Sequence, residues 1–285
     1  MCLILVAWQQ HPDFPLVVAA NRDEFHARPT AAAAVWPEGQ DVIGGRDLEA
    51  GGTWLGFASG GRFAAVTNVR EPGRPRGTYS RGWLPRDFLQ GDEGARPYCQ
   101  FAAGCDTSGF NLLACDSRDL VYCSNRDGPP RKLAPGIYGV SNHLLDTPWP
   151  KLTAAKAAFA AAMANLPDRE AFFALLADRE IVSDRHLPDT GVSLEWERLL
   201  SAIFVVSPAY GTRASTVGLT TRSGGALLEE RSFDCSGQPL QSSLISTGVE
   251  TGTRSKRSTT SALRMRMQPW EPGRPISALS GLPWI

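Results

Sequence analysis

Cys2 has the clearest chemical potential in this chain because of what precedes it: a lone Met1 followed by a small side chain is the situation in which an initiator is trimmed. Trimming leaves a thiol and a free α-amine on one residue. With a reference pKa of about 7.7 to 8.0, that amine is a general base near neutral pH for the thiol beside it. The plainer reading of an isolated cysteine at a strand start is a small buried apolar residue, so other residues must decide between the two.

The first hairpin supplies some of them. C-L-I-L-V-A-W at 2–8 and P-L-V-V-A-A-N-R-D at 15–23 read as strands either side of His11-Pro12-Asp13-Phe14. A two-residue turn at Pro12-Asp13 sets Asp23 opposite Cys2. Alternation then puts Asn21 on the face of Asp23 and turns Arg22 to the other. Asp23 can hold the ammonium or orient the amine, and a nearby arginine stabilises thiolate. Asn21 and Arg22 are therefore candidate substrate-binding neighbours. Without Cys2 opposite, N-R-D-E-F is only a strand ending in a polar turn.

Two amides add to the set. A-V-T-N-V-R delivers Asn68 at a strand end, and G-V-S-N-H delivers Asn142 after a strand-like segment. Each can donate to an oxyanion, and Asn142 reads equally as a helix cap or turn residue. In S-P-A-Y-G-T-R-A-S-T-V, Tyr210 and Arg213 sit at a tight glycine turn. Arg213 suits a substrate carboxylate or phosphate as well as a structural ion pair, and Tyr210 is a candidate substrate contact. Among the histidines only His143, next to Asn142, is placed for a cysteine–histidine dyad. Neither G-x-G-x-x-G nor a Walker sequence occurs, so nucleotide-cofactor chemistry has no support.

The elements that must position these residues are antiparallel hairpins with helices between them. Further hairpins fall at Gly52 to Arg70 and at F-N-L-L-A-C-D-S-R-D-L-V-Y-C-S-N, the latter turning through Asp116 to Asp119. Helices are expected at Tyr79 to Leu89, Pro148 to Asn165 and Asp168 to Asp178, with Asp168 as a cap. Strands are expected at S-A-I-F-V-V-S, S-T-V-G-L-T-T and G-A-L-L-E-E-R-S-F. The order implies helices packed on stacked sheets. From about Cys235 the chain turns Ser-, Thr-, Gly- and Pro-rich with scattered arginines, which reads as a flexible tail over 236–285 that can also dock back through its tryptophans.

Lysine plus arginine equals aspartate plus glutamate at 29 each in 285 residues, so no overall field favours nucleic acid or an acidic membrane. No apolar run approaches a membrane span. The six cysteines form no C-x-x-C pair and have no histidine at ligand spacing, which reads as reduced thiols in a cytoplasmic protein without a metal site. Cys115 and Cys123 flank one hairpin turn and read as buried small residues, or as a pair close enough to cross-link under oxidation.

Taken together, M-C at the start, N-R-D-E at 21–24, G-G-T-W-L-G at 51–56, T-N-V-R at 67–70, G-V-S-N at 139–142 and Y-G-T-R-A-S-T-V at 210–217 resemble the NRDE family, also called the transport and Golgi organisation protein 2 homologues. The resemblance covers 1–235 and leaves the tail outside. It implies an α+β fold, the four-layer αββα sandwich of antiparallel sheets of N-terminal-nucleophile hydrolases. It is also similar to cysteine amidases in which a processed Cys attacks an amide, an Asp supports it, two Asn stabilise the oxyanion and Arg completes the pocket. By resemblance Cys2, Asp23, Asn68, Asn142 and Arg213 take those roles. Those amidases carry an arginine three residues before their aspartate, where this chain has Ala20 and offers Arg22 instead.

Two function classes follow. One is a cofactor-independent hydrolase of a carbon–nitrogen amide bond in a small acylated substrate. The other, implied by the family's association with haem mobilisation and with lipid and acyl-coenzyme A homeostasis, is a non-enzymatic carrier holding haem or an acyl ligand in the same cavity.

Overall fold

The computed structural model describes residues 2–38, 41–75 and 77–248, with the backbone alone at position 2. The chain runs β1 (Cys2–Trp8), β2 (Leu16–Phe25), β3 (Thr30–Val35), β4 (Ile43–Asp47), β5 (Leu55–Ala58) and β6 (Arg62–Asn68) into α1 (Trp83–Gln90) and α2 (Ala95–Ala103). β7 (Phe110–Asp116), β8 (Leu120–Ser124), β9 (Arg131–Lys132) and β10 (Gly136–Val140) follow. Then come α3 (Pro150–Ala162), α4 (Glu170–Leu176), α5 (Leu194–Leu199), β11 (Tyr210–Thr220), β12 (Ala226–Phe233) and β13 (Pro239–Thr247).

The strands form two antiparallel sheets, ordered β10-β1-β2-β11-β12-β13 and β3-β4-β5-β6-β7-β8-β9. Period-two alternation explains how they stack. Ile4, Val6 and Trp8 of β1, Leu16 and Val18 of β2, and Phe57, Phe63, Leu113 and Tyr122 of the second sheet fill the layer between the sheets. Leu3, Leu5, Ala7, Val17 and Ala19 point the other way, onto Leu152, Phe159, Phe172 and Leu176 of α3 and α4. Val66, Leu112, Ala114 and Val121 leave the second sheet's outer face to pack on Leu84, Phe88, Tyr98 and Cys99 of α1 and α2. Helices, sheet, sheet, helices make the expected four-layer αββα sandwich. Strands buried on both faces read as continuous apolar runs, as β1 does.

Several local expectations are corrected. The first hairpin closes through a longer loop, in which Gln9 takes φ 53° and its N–H donates to the Pro15 carbonyl at 2.7 Å. That slips the register by one: Trp8 pairs with Leu16 and Cys2 with Arg22, so Arg22, not Asp23, stands opposite Cys2. A one-residue slip exchanges the faces of everything it touches. The stretch at 201–207 is no strand. Its apolar side chains are buried in a coil whose backbone is held from outside, Phe204 N–H donating to the Asp178 carbonyl and Val205 N–H to Thr212 Oγ1.

Cys115 and Cys123 sit on opposite faces of their sheet, Cys115 in the inter-sheet core and Cys123 in the outer one, so the cross-link is excluded by alternation. The sheet also runs past Cys235: β13 pairs with β12 from Ala226↔Thr247 to Phe233↔Pro239, and this part of the expected tail is an edge strand. The rest of that tail, 249–285, lies outside the described residues. Among the described residues no helix is long and apolar enough to cross a membrane.

Candidate active site

The inter-sheet row of the first sheet ends in polar residues. β2 carries Leu16, Val18 and Ala20 on this face, and the next position on it is Arg22, the pairing partner of Cys2. β1 also pairs with β10, from Trp8↔Gly136 to Ile4↔Val140. Carried two residues further, this register sets Asn142 level with Cys2. Position 2 thus pairs with Arg22 on one side, while on the other the pairing of β1 with β10 ends at Ile4↔Val140, two residues short of Asn142.

Arg22 is 5% exposed, an unusual place for a guanidinium. Its Nη1 donates to Thr30 Oγ1 at 3.1 Å, its plane lies 4.4 Å from the centre of the Trp54 ring, and Glu24 is 3.8 Å away. The indole fits because position 45 is glycine: a Cβ there would lie 2.1 Å from the Trp54 ring. Cation–π contact and a hydrogen bond offset part of the cost of burial.

Asn142 is fully buried and its Nδ2 donates to Asn68 Oδ1 at 2.7 Å, while its Oδ1 accepts from Ser141 Oγ at 3.1 Å. The Arg70 N–H donates to the Asn142 carbonyl at 2.8 Å, tying the ends of β6 and β10 together. Asn68, at the last position of β6, is 9% exposed. Among the described residues none accepts a hydrogen bond from its Nδ2.

Asp23 and Asn21 lie on the opposite face, toward the helices. Asn21 donates to the carbonyls of Leu176 at 2.8 Å and Ile203 at 2.9 Å and accepts from Ser215 Oγ at 2.6 Å. Its carboxamide is consumed in tying β2 to α4 and the 203 coil. Asp23 accepts from Thr212 Oγ1 at 2.6 Å. Burial pushes its pKa up, against the charges of Lys151 and Arg22 and the Thr212 hydroxyl. Tyr210 donates to the Asp23 carbonyl at 3.1 Å, its ring packed edge-on to Phe25 and Trp196. Arg213 sits where the β2–β11 register shifts, and its Nη1 donates to the carbonyls of Phe25, His26 and Arg28. Burial and the nearby Arg22 charge hold its pKa down. The structure therefore joins Asn68 to Asn142 and sets Arg22 opposite position 2, with Asp23 next along β2 on the helix-facing side. Asn21, Tyr210 and Arg213 build the scaffold around them.

Two charged groups outside the candidate set are buried. Glu230 continues the β12 row of Ala226 and Leu228 into the inter-sheet layer, where Oε1 accepts from Ala33 N–H at 2.6 Å and Oε2 from Thr216 Oγ1 at 3.2 Å. The signal was an acid at the third place of an apolar alternating row. Burial raises its pKa, opposed by those two bonds and by Arg22. A carboxyl whose folded pKa exceeds its unfolded value of about 4.3 is a better proton acceptor when folded, so its contribution to stability falls as pH rises between the two values. Glu230→Gln cannot titrate. Its Tm relative to wild type is expected to improve steadily from pH 4.5 upward, and a pH-independent difference would contradict this.

The second group is Arg70, whose side chain is buried against Glu197 of α5 at 2.6 Å and lies 5.2 Å from the centre of the Trp149 ring. Glu197 also accepts from the Thr190 N–H at 2.8 Å, pinning α5 and its loop beside Asn142. A cavity of about 270 Å³ lies elsewhere, at the Trp8 end of β1 among the turns around Gly60–Gly61 and Thr221–Gly224.

The motifs that meet here, N-R-D-E, G-G-T-W-L-G, T-N-V-R and G-V-S-N, fall within residues 1–235, which match the family model described as Transport and Golgi organisation 2. The chain belongs to this family. Transport and Golgi organization protein 2 homologs from Bos taurus and Homo sapiens are 37% and 35% identical to it, each over 82% of this chain and 93% of theirs. Transport and Golgi organization protein 2 of Drosophila melanogaster is 37% identical over 31% of this chain and 35% of its own. Among solved structures, a Caenorhabditis elegans ortholog of N-acylethanolamine-hydrolyzing acid amidase is similar over 76% of this chain and 92% of that one, with 14% identity and a TM-score of 0.45. A mutant of conjugated bile acid hydrolase from Clostridium perfringens is similar over 86% and 92%, with 9% identity and a TM-score of 0.47. At those scores nothing on activity follows.

Proposed function

We propose that this chain is a cofactor-independent hydrolase of a carbon–nitrogen amide bond in a small acylated molecule, with residue 2 as an N-terminal cysteine nucleophile. The observation that supports the reading is the pairing of Cys2 with Arg22, with β10, which leads into Asn142, on the other side of β1. A cationic neighbour favours thiolate, and an amide N–H2 held in place by a second amide is a donor for a tetrahedral oxyanion.

In the proposed reaction the Cys2 sulfur bonds to the amide carbon while its proton passes to the α-amine. The carbonyl oxygen takes the negative charge and is held by Asn68 and by the strand end that Asn142 organises. As the C–N bond breaks, the amine returns the proton to the leaving nitrogen. Water then attacks the thioester, the α-amine taking its proton, and the acid departs with the thiol restored. Asp23, behind the start of β1, keeps the amine oriented.

The test is release of free amine from a series of fluorogenic N-acyl amides of increasing chain length, comparing wild type with Cys2→Ala. Turnover lost in the variant is the expected result. No release along the whole series, with haemin binding that shifts its Soret band equally in both proteins, contradicts the hydrolase and favours the carrier.

A further inference from the structure

Among the described residues the two sheets end in β10, β13, β3 and β9. Short length, charge, bulges and cover keep a sheet edge from pairing with another chain, and β10, β9 and β3 each carry such a device. β10 is covered by its own chain: the Gly139 N–H donates to Asp146 Oδ1 and the Asp146 N–H to the Gly139 carbonyl, each at 2.8 Å. β9 consists of Arg131 and Lys132 alone, both charged and exposed. β3 is broken by a shift of register between Ala31 and Ala34, and Glu230 takes the Ala33 N–H.

β13 is protected only at its start, where Pro239 and a register shift at Phe233 interrupt the ladder. Its pairing with β12 is regular from Ser232↔Gln241 to Ala226↔Thr247, and the stretch Q-S-S-L-I-S-T over 241–247 contains no charged side chain. Among the described residues no strand lies on its other side. Alternation turns Ile245 toward the inter-sheet core and leaves Ser242, Leu244 and Ser246 exposed on the outer face, Leu244 by 60%.

This edge is complementary to itself. Laid antiparallel against a second copy with Leu244 on the two-fold axis, Gln241 faces Thr247, Ser242 faces Ser246 and Ser243 faces Ile245. No like charges meet, and the two exposed leucines cover each other. A charged partner finds no counter-charge on 241–247, whereas a copy of the same strand supplies matched backbone donors and acceptors together with the apolar contact. We propose that β13 is the pairing surface for a second copy of this chain, the two six-stranded sheets joining edge to edge through 241–247 with Leu244 at the axis. One ribbon of this length is at the small end of protein interfaces, so the dimer is expected to be half formed at about 10 to 100 μM.

The experiment follows the full-length chain by sedimentation velocity from about 1 to 200 μM, a range that spans such an affinity. Wild type is expected to pass from monomer to dimer as concentration rises. Leu244→Lys and Leu244→Glu each set like charges opposite one another at the axis and are expected to weaken self-association about tenfold or more. Mixed in equal amounts, the two variants are expected to pair again, because the axial contact becomes lysine with glutamate. In Leu244→Cys, mild oxidation is expected to link residue 244 to its own copy faster than it links the exposed Cys235 to its copy, since the two-fold places those thiols at opposite ends of the ribbon. A wild type that stays monomeric over the whole range overturns the proposal, including the case in which residues 249–285 lie on the strand instead. A dimer that Leu244→Lys and Leu244→Glu both retain overturns it, and so does a mixture no more associated than its parts.

Discussion

Glu197→Ala is expected to lower the stability of the folded chain by about 3 to 5 kcal/mol, read as a drop in Tm and in the urea midpoint at unchanged m. The Arg70 guanidinium is buried with its Nη1 2.6 Å from Glu197 Oε2, and deleting the carboxylate leaves a positive charge where water does not reach. Burial already pulls the arginine pKa down and Glu197 is what opposes it, so the sign is set. Removing both partners is a different matter. An Arg70→Met, Glu197→Leu double variant is expected to recover most of the loss, because a buried pair is worth little beyond an apolar pair of its volume. A Glu197→Ala protein as stable as wild type contradicts the geometry around α5.

Asn142→Ala is expected to reduce amide turnover by about 100- to 1000-fold, mostly in kcat, the size found when one oxyanion donor is removed elsewhere. The carboxamide is fully buried and donates to Asn68 Oδ1 at 2.7 Å, so its loss also frees the Asn68 side chain to turn. A stability loss of about 1 to 3 kcal/mol accompanies it, because Asn68 Oδ1 loses the amide donor it accepts from. Asn68→Ala removes less packing and is expected to show a comparable rate loss with a smaller change in Tm. Turnover unchanged in both variants, with Tm lowered only in the first, would assign the amide pair to the fold alone.

Much of this architecture was legible in the sequence, and the parts that were not share a cause. β1, β2, β6, β7 and β8 announce themselves as apolar runs between turn residues, and their adjacency fixes antiparallel pairing. The face on which each residue falls was a harder matter. It depends on one residue's worth of loop between Trp8 and Leu16, which no propensity specifies, and that loop decided whether Asp23 or Arg22 meets Cys2. The coil at 201–207 reads as a strand because burial, not pairing, makes Ile203, Phe204 and Val205 apolar. β13 was missed for the opposite reason: as an edge strand, P-L-Q-S-S-L-I-S-T has little apolar surface to bury, with Leu240 and Leu244 exposed.

At the site itself, Asn68 and Asn142 were candidates because each follows an apolar strand-like run, although a cap or turn explained Asn142 equally well; the structure joins the two by a hydrogen bond. Arg22, read as a candidate substrate-binding neighbour facing away from Asp23, is the residue that pairs with Cys2. Glu230, Lys151 and Glu197 were not found at all. Each is a charged residue on an element whose inward face is revealed only by the packing of other elements. Arg213 and Tyr210 belong to a specific motif, yet their hydrogen bonds go to the backbone of the β2–β3 turn and of Asp23.

The most direct measurement is the intact mass of the purified protein before and after brief iodoacetamide treatment at neutral pH, followed by mapping of the adduct. A mass lacking one methionine, with a single rapid alkylation at residue 2 that Arg22→Met slows, is the predicted result. A mature chain that still begins with methionine, or a trimmed one alkylated no faster than the exposed thiol of Cys235, contradicts the account.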